Sequence, residues 1–192
     1  MSILIVYESM FGATHTVAEE IATATRHLTP VTVASVQDLS PERLPHSELV
    51  ILGAPTHSHG LSTPVSREKA ALIDLVNDSG LQLEHEENPI GMREWLARAQ
   101  FPAGSAFAVF DTRIRDPRLL VGSAAHHVAR VLRSTGHPLV APPESFFVMD
   151  NHRLEPGERG RAQAWGEFLA RNGAPSRPTP GTPESQRDES ET

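Results

Sequence analysis

Two hydrophobic patterns alternate along the chain. Ile3-Leu4-Ile5-Val6, Leu49-Val50-Ile51-Leu52 and Ala106-Phe107-Ala108-Val109-Phe110 are unbroken apolar runs, the pattern of strands covered on both faces. Val31-Thr32-Val33-Ala34 is a β-branched run entered through Pro30 and reads as a further strand. Leu139-Val140-Ala141 and Ser145-Phe146-Phe147-Val148 flank Pro142-Pro143. They read as one strand interrupted at a sheet edge, where missing amide donors are tolerated.

Between these runs the apolar period changes to that of a helix. Val17, Ala18, Ile21, Ala22 and Ala24 form an inward face, with Glu19, Glu20 and Arg26 outward. Ser40-Pro41-Glu42-Arg43-Leu44-Pro45 carries a helix-start pattern that Pro45 limits to one turn. Val65 to Val76 predicts a helix with Ala70, Leu72, Ile73 and Val76 inward, and Met92 to Ala99 a short one burying Trp95 and Leu96. Ser123 to Ser134 predicts another, closed by Gly136. Pro156 opens the last, with Ala162, Trp165, Phe168 and Leu169 inward.

Strand and helix thus alternate five times, which specifies an α/β fold with a parallel sheet covered by helices on both faces. Right-handed crossovers leave few ways to wind it. Ligands in such sheets lie outside the carboxyl ends of the strands. The unusual loops after the first, third and fourth strands all fall at that edge.

The first of these loops is the most informative. Tyr7-Glu8-Ser9-Met10-Phe11-Gly12-Ala13-Thr14 is a tight strand-to-helix turn with two hydroxyls and a glycine. The first amides of a helix lack partners, and the aligned peptide dipoles leave partial positive charge there. A phosphate would accept bonds from those amides and from Ser9 and Thr14, with no lysine required. The turn reads either as a phosphate pocket or as a Ser or Thr cap on an ordinary helix.

Composition narrows the function. Net charge is −7 with scattered arginines, which argues against nucleic acid or an anionic membrane as the main partner. The chain has no cysteine, so thiol redox chemistry and zinc–thiolate sites are excluded, and electron transfer would need a bound cofactor. A strand begins at Ile3 without a signal peptide, and no apolar run approaches the ~20 residues of a spanning helix, so a cytoplasmic protein with no membrane span is expected. From Asn172 onward, Pro175, Pro178, Pro180 and Pro183 stand among small polar residues, four acids and two arginines. That segment cannot bury enough to offset its ordering entropy, and a disordered tail over 172–192 is expected behind a domain spanning 1–171.

Here the chain resembles the flavodoxin-like FMN-binding family, which includes flavodoxins and flavodoxin-like quinone reductases. The resemblance rests on Tyr7 through Thr14, with Ala18 beyond, and on Gly53-Ala54-Pro55-Thr56-His57-Ser58-His59-Gly60. It implies a three-layer α/β sandwich around a five-stranded parallel sheet in order 2-1-3-4-5. It further implies noncovalently bound FMN and electron transfer, with NAD(P)H, a quinone or a redox protein as partner. By the same resemblance Ser9, Met10, Phe11, Gly12, Ala13 and Thr14 hold the phosphate. Pro55, Thr56, His57, Ser58, His59 and Gly60 border the isoalloxazine, and Asp111, Thr112 and Arg113 approach it from the other side.

The chain also departs from that pattern. Single-electron flavodoxins sandwich the ring between a tryptophan and a tyrosine, but here Tyr7 closes a strand and Trp95 and Trp165 lie on helices. Met10-Phe11 is closer to the quinone reductases, whose third-strand loop is nevertheless of Pro-Thr-Arg-Phe-Gly type. An uncovered ring would be open to NAD(P)H or a quinone, which favours a reductase. The alternative is a binding or regulatory module that keeps the fold without using flavin.

Among single residues, His57 and His59 read as polar lining or as partners for the charge of a reduced flavin. No third metal ligand is evident beside them. His126-His127 and the Glu84, Glu86, Glu87 run read as surface. Arg115 and Arg118 read as loop residues paired with Asp111 and Asp116, while Arg113 could instead face the ring.

Overall fold

The computed structural model describes residues 1–57, 59–77, 90–116 and 122–173, with side chains at all of these except 71 and 73–77. Five strands form one parallel sheet in the order β2-β1-β3-β4-β5: β1 Ile3–Tyr7, β2 Val31–Ser35, β3 Leu49–Pro55, β4 Ala106–Ile114 and β5 Glu144–Val148. The helices are α1 Ala13–Thr25, α2 Pro64–Asn77, α3 Met92–Leu96, α4 Ala124–Ser134 and α5 Glu158–Asn172. This is the flavodoxin-like fold, in the strand order that the resemblance implies.

The unbroken apolar runs follow from burial on both faces. Leu4, Val6, Val50, Leu52, Phe107 and Val109 pack with Met92, Trp95, Val128 and Leu132. The alternate residues Ile3, Ile5, Ile51, Ala108 and Phe110 pack with Val17, Ile21, Phe146, Ala162 and Leu169. Central β1 pairs along its whole length, Tyr7 standing opposite both Ser35 and Gly53. The loop after β1 therefore starts from a fixed point at the carboxyl edge.

Several expectations are corrected. Residues 40–45 form a turn rather than a helix. Arg43 N–H donates to Ser40 O at 3.2 Å, while the Ser40 hydroxyl donates to Glu42 at 2.9 Å instead of capping a helix. β4 runs through Asp111, Thr112 and Arg113, because β5 pairs with it from Phe110 to Ile114. The segment before Pro142 joins the same edge through a parallel bridge between Leu139 and Phe107.

On α1 the buried stripe includes Thr14 and Thr25 rather than Ala24. Thr25 is tolerated because its hydroxyl donates to Ile21 O at 2.8 Å. Leu72 is 55% exposed, since the buried face of α2 is set by Arg67, five residues away on the opposite side of the helix. Phe168 is 49% exposed. The inward stripe of α5 is Ala162, Gly166 and Leu169. Residues 82–88, including the glutamate run, and 174–192 lie outside the described residues, as do Ser58 and Arg118.

Gly53 on β3 lies beneath the Phe110 ring, which makes edge-on contacts with Phe146 at 5.9 Å and Trp165 at 6.2 Å. A Cβ at Gly53 would overlap that ring, which has nowhere to retreat. Gly53→Ala should destabilise the fold by about 1–3 kcal/mol, the usual cost of overpacking. A denaturant titration showing a lowered midpoint checks this.

Candidate functional site

The carboxyl edge is built first by the turn after β1. Glu8 N–H donates to Gly53 O at 2.9 Å, extending the pairing of β1 by one residue. The chain then turns through Gly12, whose φ of 85° is readily available only to glycine. Gly12 N–H donates to Ser9 Oγ at 3.1 Å, and the first helical bond runs from Thr16 N–H to Gly12 O at 2.9 Å. The amides of Ala13 and Thr14 precede that bond, at the end of the helix where the ladder offers no acceptor.

The hydroxyls divide the work. Thr16 donates to Gly12 O at 2.8 Å and reinforces the turn. Buried Thr14 shares a 2.8 Å bond with Thr112 on β4, which ties the helix tip to the strand two positions across the sheet. Ser9 accepts from Gly12, so its own proton remains to donate. Met10, Phe11 and Ala13 are half-buried along the rim. Phe11 stacks on His152 with ring centroids 4.6 Å apart, and Tyr7 stacks on His15 at 4.7 Å.

The loop after β3 is a narrow reversal. His57 N–H donates to Gly60 O at 2.8 Å and Gly60 N–H to His57 O at 2.9 Å. Exposed His59 takes a φ of 78°, costly for a residue with a Cβ. Its neighbour is Gly122, with φ 72°, and any side chain at Gly122 would overlap the His59 backbone. Pro55 closes β3 opposite Thr112.

Asp111 binds this loop to α4. Its Oδ2 accepts from the Ser123 hydroxyl at 2.6 Å, the Thr56 hydroxyl at 3.1 Å and Ala125 N–H at 3.0 Å, and Thr56 Oγ1 accepts from Ala124 N–H at 3.0 Å. The carboxylate thus caps the start of α4, where negative charge is favoured. Its Oδ1 is buried with no hydrogen-bond partner among the described residues. Arg113 donates to the carbonyls of Ile114 and Asp116 at 3.2 and 2.7 Å and lies 5.0 Å from the Phe147 ring centroid. Arg115 pairs with Glu155 at 2.8 Å. The expected Arg115 pairing with aspartates is therefore replaced by a link to the loop after β5.

His126 and His127 are not surface residues. Both are half-buried. His126 Nδ1 lies 3.1 Å from Ser123 Oγ, and His127 stands beside Gly60. Burial, with Arg93 and Arg130 nearby, lowers the pKa of His127. Among the described residues no three His, Cys, Asp or Glu side chains gather as a metal site.

Beneath the loops lies a polar group that periodicity does not reveal. Glu8, 3% exposed, accepts Met92 N–H on Oε2 at 2.7 Å. Arg67, 4% exposed, donates to Ser62 Oγ at 2.8 Å and lies 3.2 Å from Glu94. Burial pushes the Glu8 carboxyl above its usual range, opposed by bonds from Ser62 and Met92 and by the Arg67 charge. Neither Arg67 nor His152 carries a local sequence signal, because their partners lie far apart in the chain.

The Flavodoxin family model matches residues 5–109. Among solved structures, the chain is similar to a flavodoxin from the domain Archaea, at 20% identity and TM-score 0.59, over 89% of this chain and 97% of that one. It is similar to oxidised Flavodoxin 1 from Bacillus cereus at 16% identity and TM-score 0.60, over 89% and 98%. It also resembles rubredoxin oxygen:oxidoreductase from Desulfovibrio gigas, at 16% identity and TM-score 0.57, over 88% of this chain and 35% of that one. No curated protein matches by sequence. No described helix is long and apolar enough to cross a membrane.

Burial first, then the Arg67 and His152 charges, lower His57 from 6.5 to about 4. The native state therefore binds less proton there than the unfolded chain, so this contribution is complete above pH 6.5 and is lost as pH falls toward 4. NMR titration of the His57 ring should give a midpoint near 4. In His57→Asn, the loss of unfolding free energy between those pH values should be smaller than in the unaltered chain.

Proposed function

The chain belongs to the flavodoxin family of flavin-binding electron-transfer proteins, and from that membership we propose that it binds FMN at the loops after β1, β3 and β4 and uses it to transfer electrons. The observation that carries the proposal is the open tip of α1, where the amides of Ala13 and Thr14 precede the first helical bond at the end of the central strand. These residues fit a phosphate. Ser9 retains a proton to donate, Gly12 lets the backbone approach closely, and Glu8, the carboxylate of the turn itself, is turned into the interior and bonded to Met92.

In this reading Ser9, Met10, Phe11, Gly12, Ala13 and Thr14 hold the phosphate, and Pro55, Thr56, His57, Ser58, His59 and Gly60 border the ring. Asp111, Thr112 and Arg113 act by position. Asp111 fixes Thr56 and α4, Thr112 holds Thr14, and Arg113 ties down the end of β4. Bound FMN would supply the uptake and release of electrons, for which a cysteine-free chain has no side chain of its own. His57 is held neutral and can offer an N–H to the ring without bringing a full charge.

The loops present imidazoles and Phe11 where a tryptophan–tyrosine sandwich would cover the ring. That leaves room for a second reactant, and it supports a reductase that takes a hydride from NAD(P)H and passes the two electrons to a quinone or a redox protein.

Apoprotein titrated with FMN should quench flavin fluorescence at one-to-one stoichiometry and turn yellow, and protein that ignores FMN would contradict the assignment. Gly12→Val should weaken FMN binding at least about tenfold while the chain still folds, because φ there is positive and the phosphate approaches the backbone. A steady-state assay with NADPH and a quinone should show turnover, and its absence would make the protein a carrier.

A further inference from the structure

We propose that Arg67 is the positioning residue of the flavin site, a buried guanidinium that fixes the inner end of the 55–62 loop and sets the charge beneath it. This rests on the flavin reading for what the loop binds, but the geometry stands by itself. Arg67 is 4% exposed on a helix whose neighbouring Val65 is 60% exposed, so its burial is specific to the position.

Its Nη1 donates to Ser62 Oγ at 2.8 Å and faces Glu94 Oε2 at 3.2 Å. The carboxyl of Glu8, on the segment that leads into the α1 tip, accepts from Met92 N–H at 2.7 Å and lies in the field of Arg67. One guanidinium thereby links the end of the 55–62 loop to the start of α3, and its charge acts on Glu8 in the turn after β1. Arg93 holds the same loop end from the other side, donating to Ser62 O at 3.1 Å and Leu61 O at 2.8 Å. Space for Arg67 is kept by Gly91, where a Cβ would overlap Nη1 and Ser62 Oγ.

The charges in this cluster are Arg67 from α2, Glu8 from the turn after β1 and Glu94 from α3. Toward His57 the facing charges are Arg67 and His152. Burial first, and then the buried cation beside the loop, disfavour a charged His57, so the loop meets its ligand with a neutral imidazole. Arginine suits the place because its guanidinium stays charged when buried.

The test uses the full chain. Arg67→Met alone leaves Glu8 buried without its cation and can unfold the protein. Arg67→Met/Glu8→Gln removes both charges and keeps the packing. In the folded double variant without FMN, the His57 midpoint measured by NMR should rise by about one pH unit. Arg67→Lys should leave it near the unaltered value. FMN affinity of the double variant should fall at least about tenfold, as expected when a buried positioning group is lost. An unchanged His57 midpoint, or unchanged FMN affinity, in the folded double variant overturns the proposal. If the unaltered chain itself ignores FMN, the flavin reading fails, and the His57 midpoint alone still decides whether Arg67 sets the charge.

Discussion

The structure depends on one electrostatic arrangement, the positive end of a helix delivered by a strand that cannot move. β1 is paired on both sides and buried on both faces, so the start of α1 is placed as firmly as the core. Its partial positive charge points out of the carboxyl edge. The Thr14–Thr112 bond at 2.8 Å then couples the tip to β4. An anion bound there would meet donors that need no rearrangement, which is where a binding site gains most from rigidity.

Around the tip the edge is held by buried polar groups rather than by apolar contacts. Asp111 gathers Thr56, Ser123 and Ala125 onto one oxygen, and Arg67 gathers Ser62 and Glu94 while Glu8 accepts from Met92. Such groups are expensive to bury unless every partner is present, so a cluster of this kind specifies a geometry more than it adds stability. Loops that end in these networks keep their shape while presenting exposed His59 and half-buried His57 outward.

Much of this was legible in the sequence where the physics is local. Ile3–Val6 and Leu49–Leu52 announce doubly covered strands because burial on both faces removes the polar alternation. Ser9, Gly12 and Thr14 announce the turn because only a few residue types satisfy a helix start. What escaped depends on partners far apart in the chain. Arg67 looks like an exposed charge until Ser62, Glu94 and Glu8 surround it. Asp111 looks like a loop residue because nothing local shows that β5 will extend β4 past it. His152 follows β5 without any motif, and only the fold brings it onto Phe11.

The central claim is that the α1 tip grips the phosphate, and the most direct measurement compares FMN with riboflavin, which lacks that group. Backbone amide resonances of Ala13, Thr14 and His15 should shift on FMN addition, and riboflavin should leave them in place and bind at least about tenfold more weakly, the loss expected for a charge-assisted hydrogen-bond set. Equal affinity for the two flavins, or FMN binding that leaves those three amides unmoved, would contradict the account.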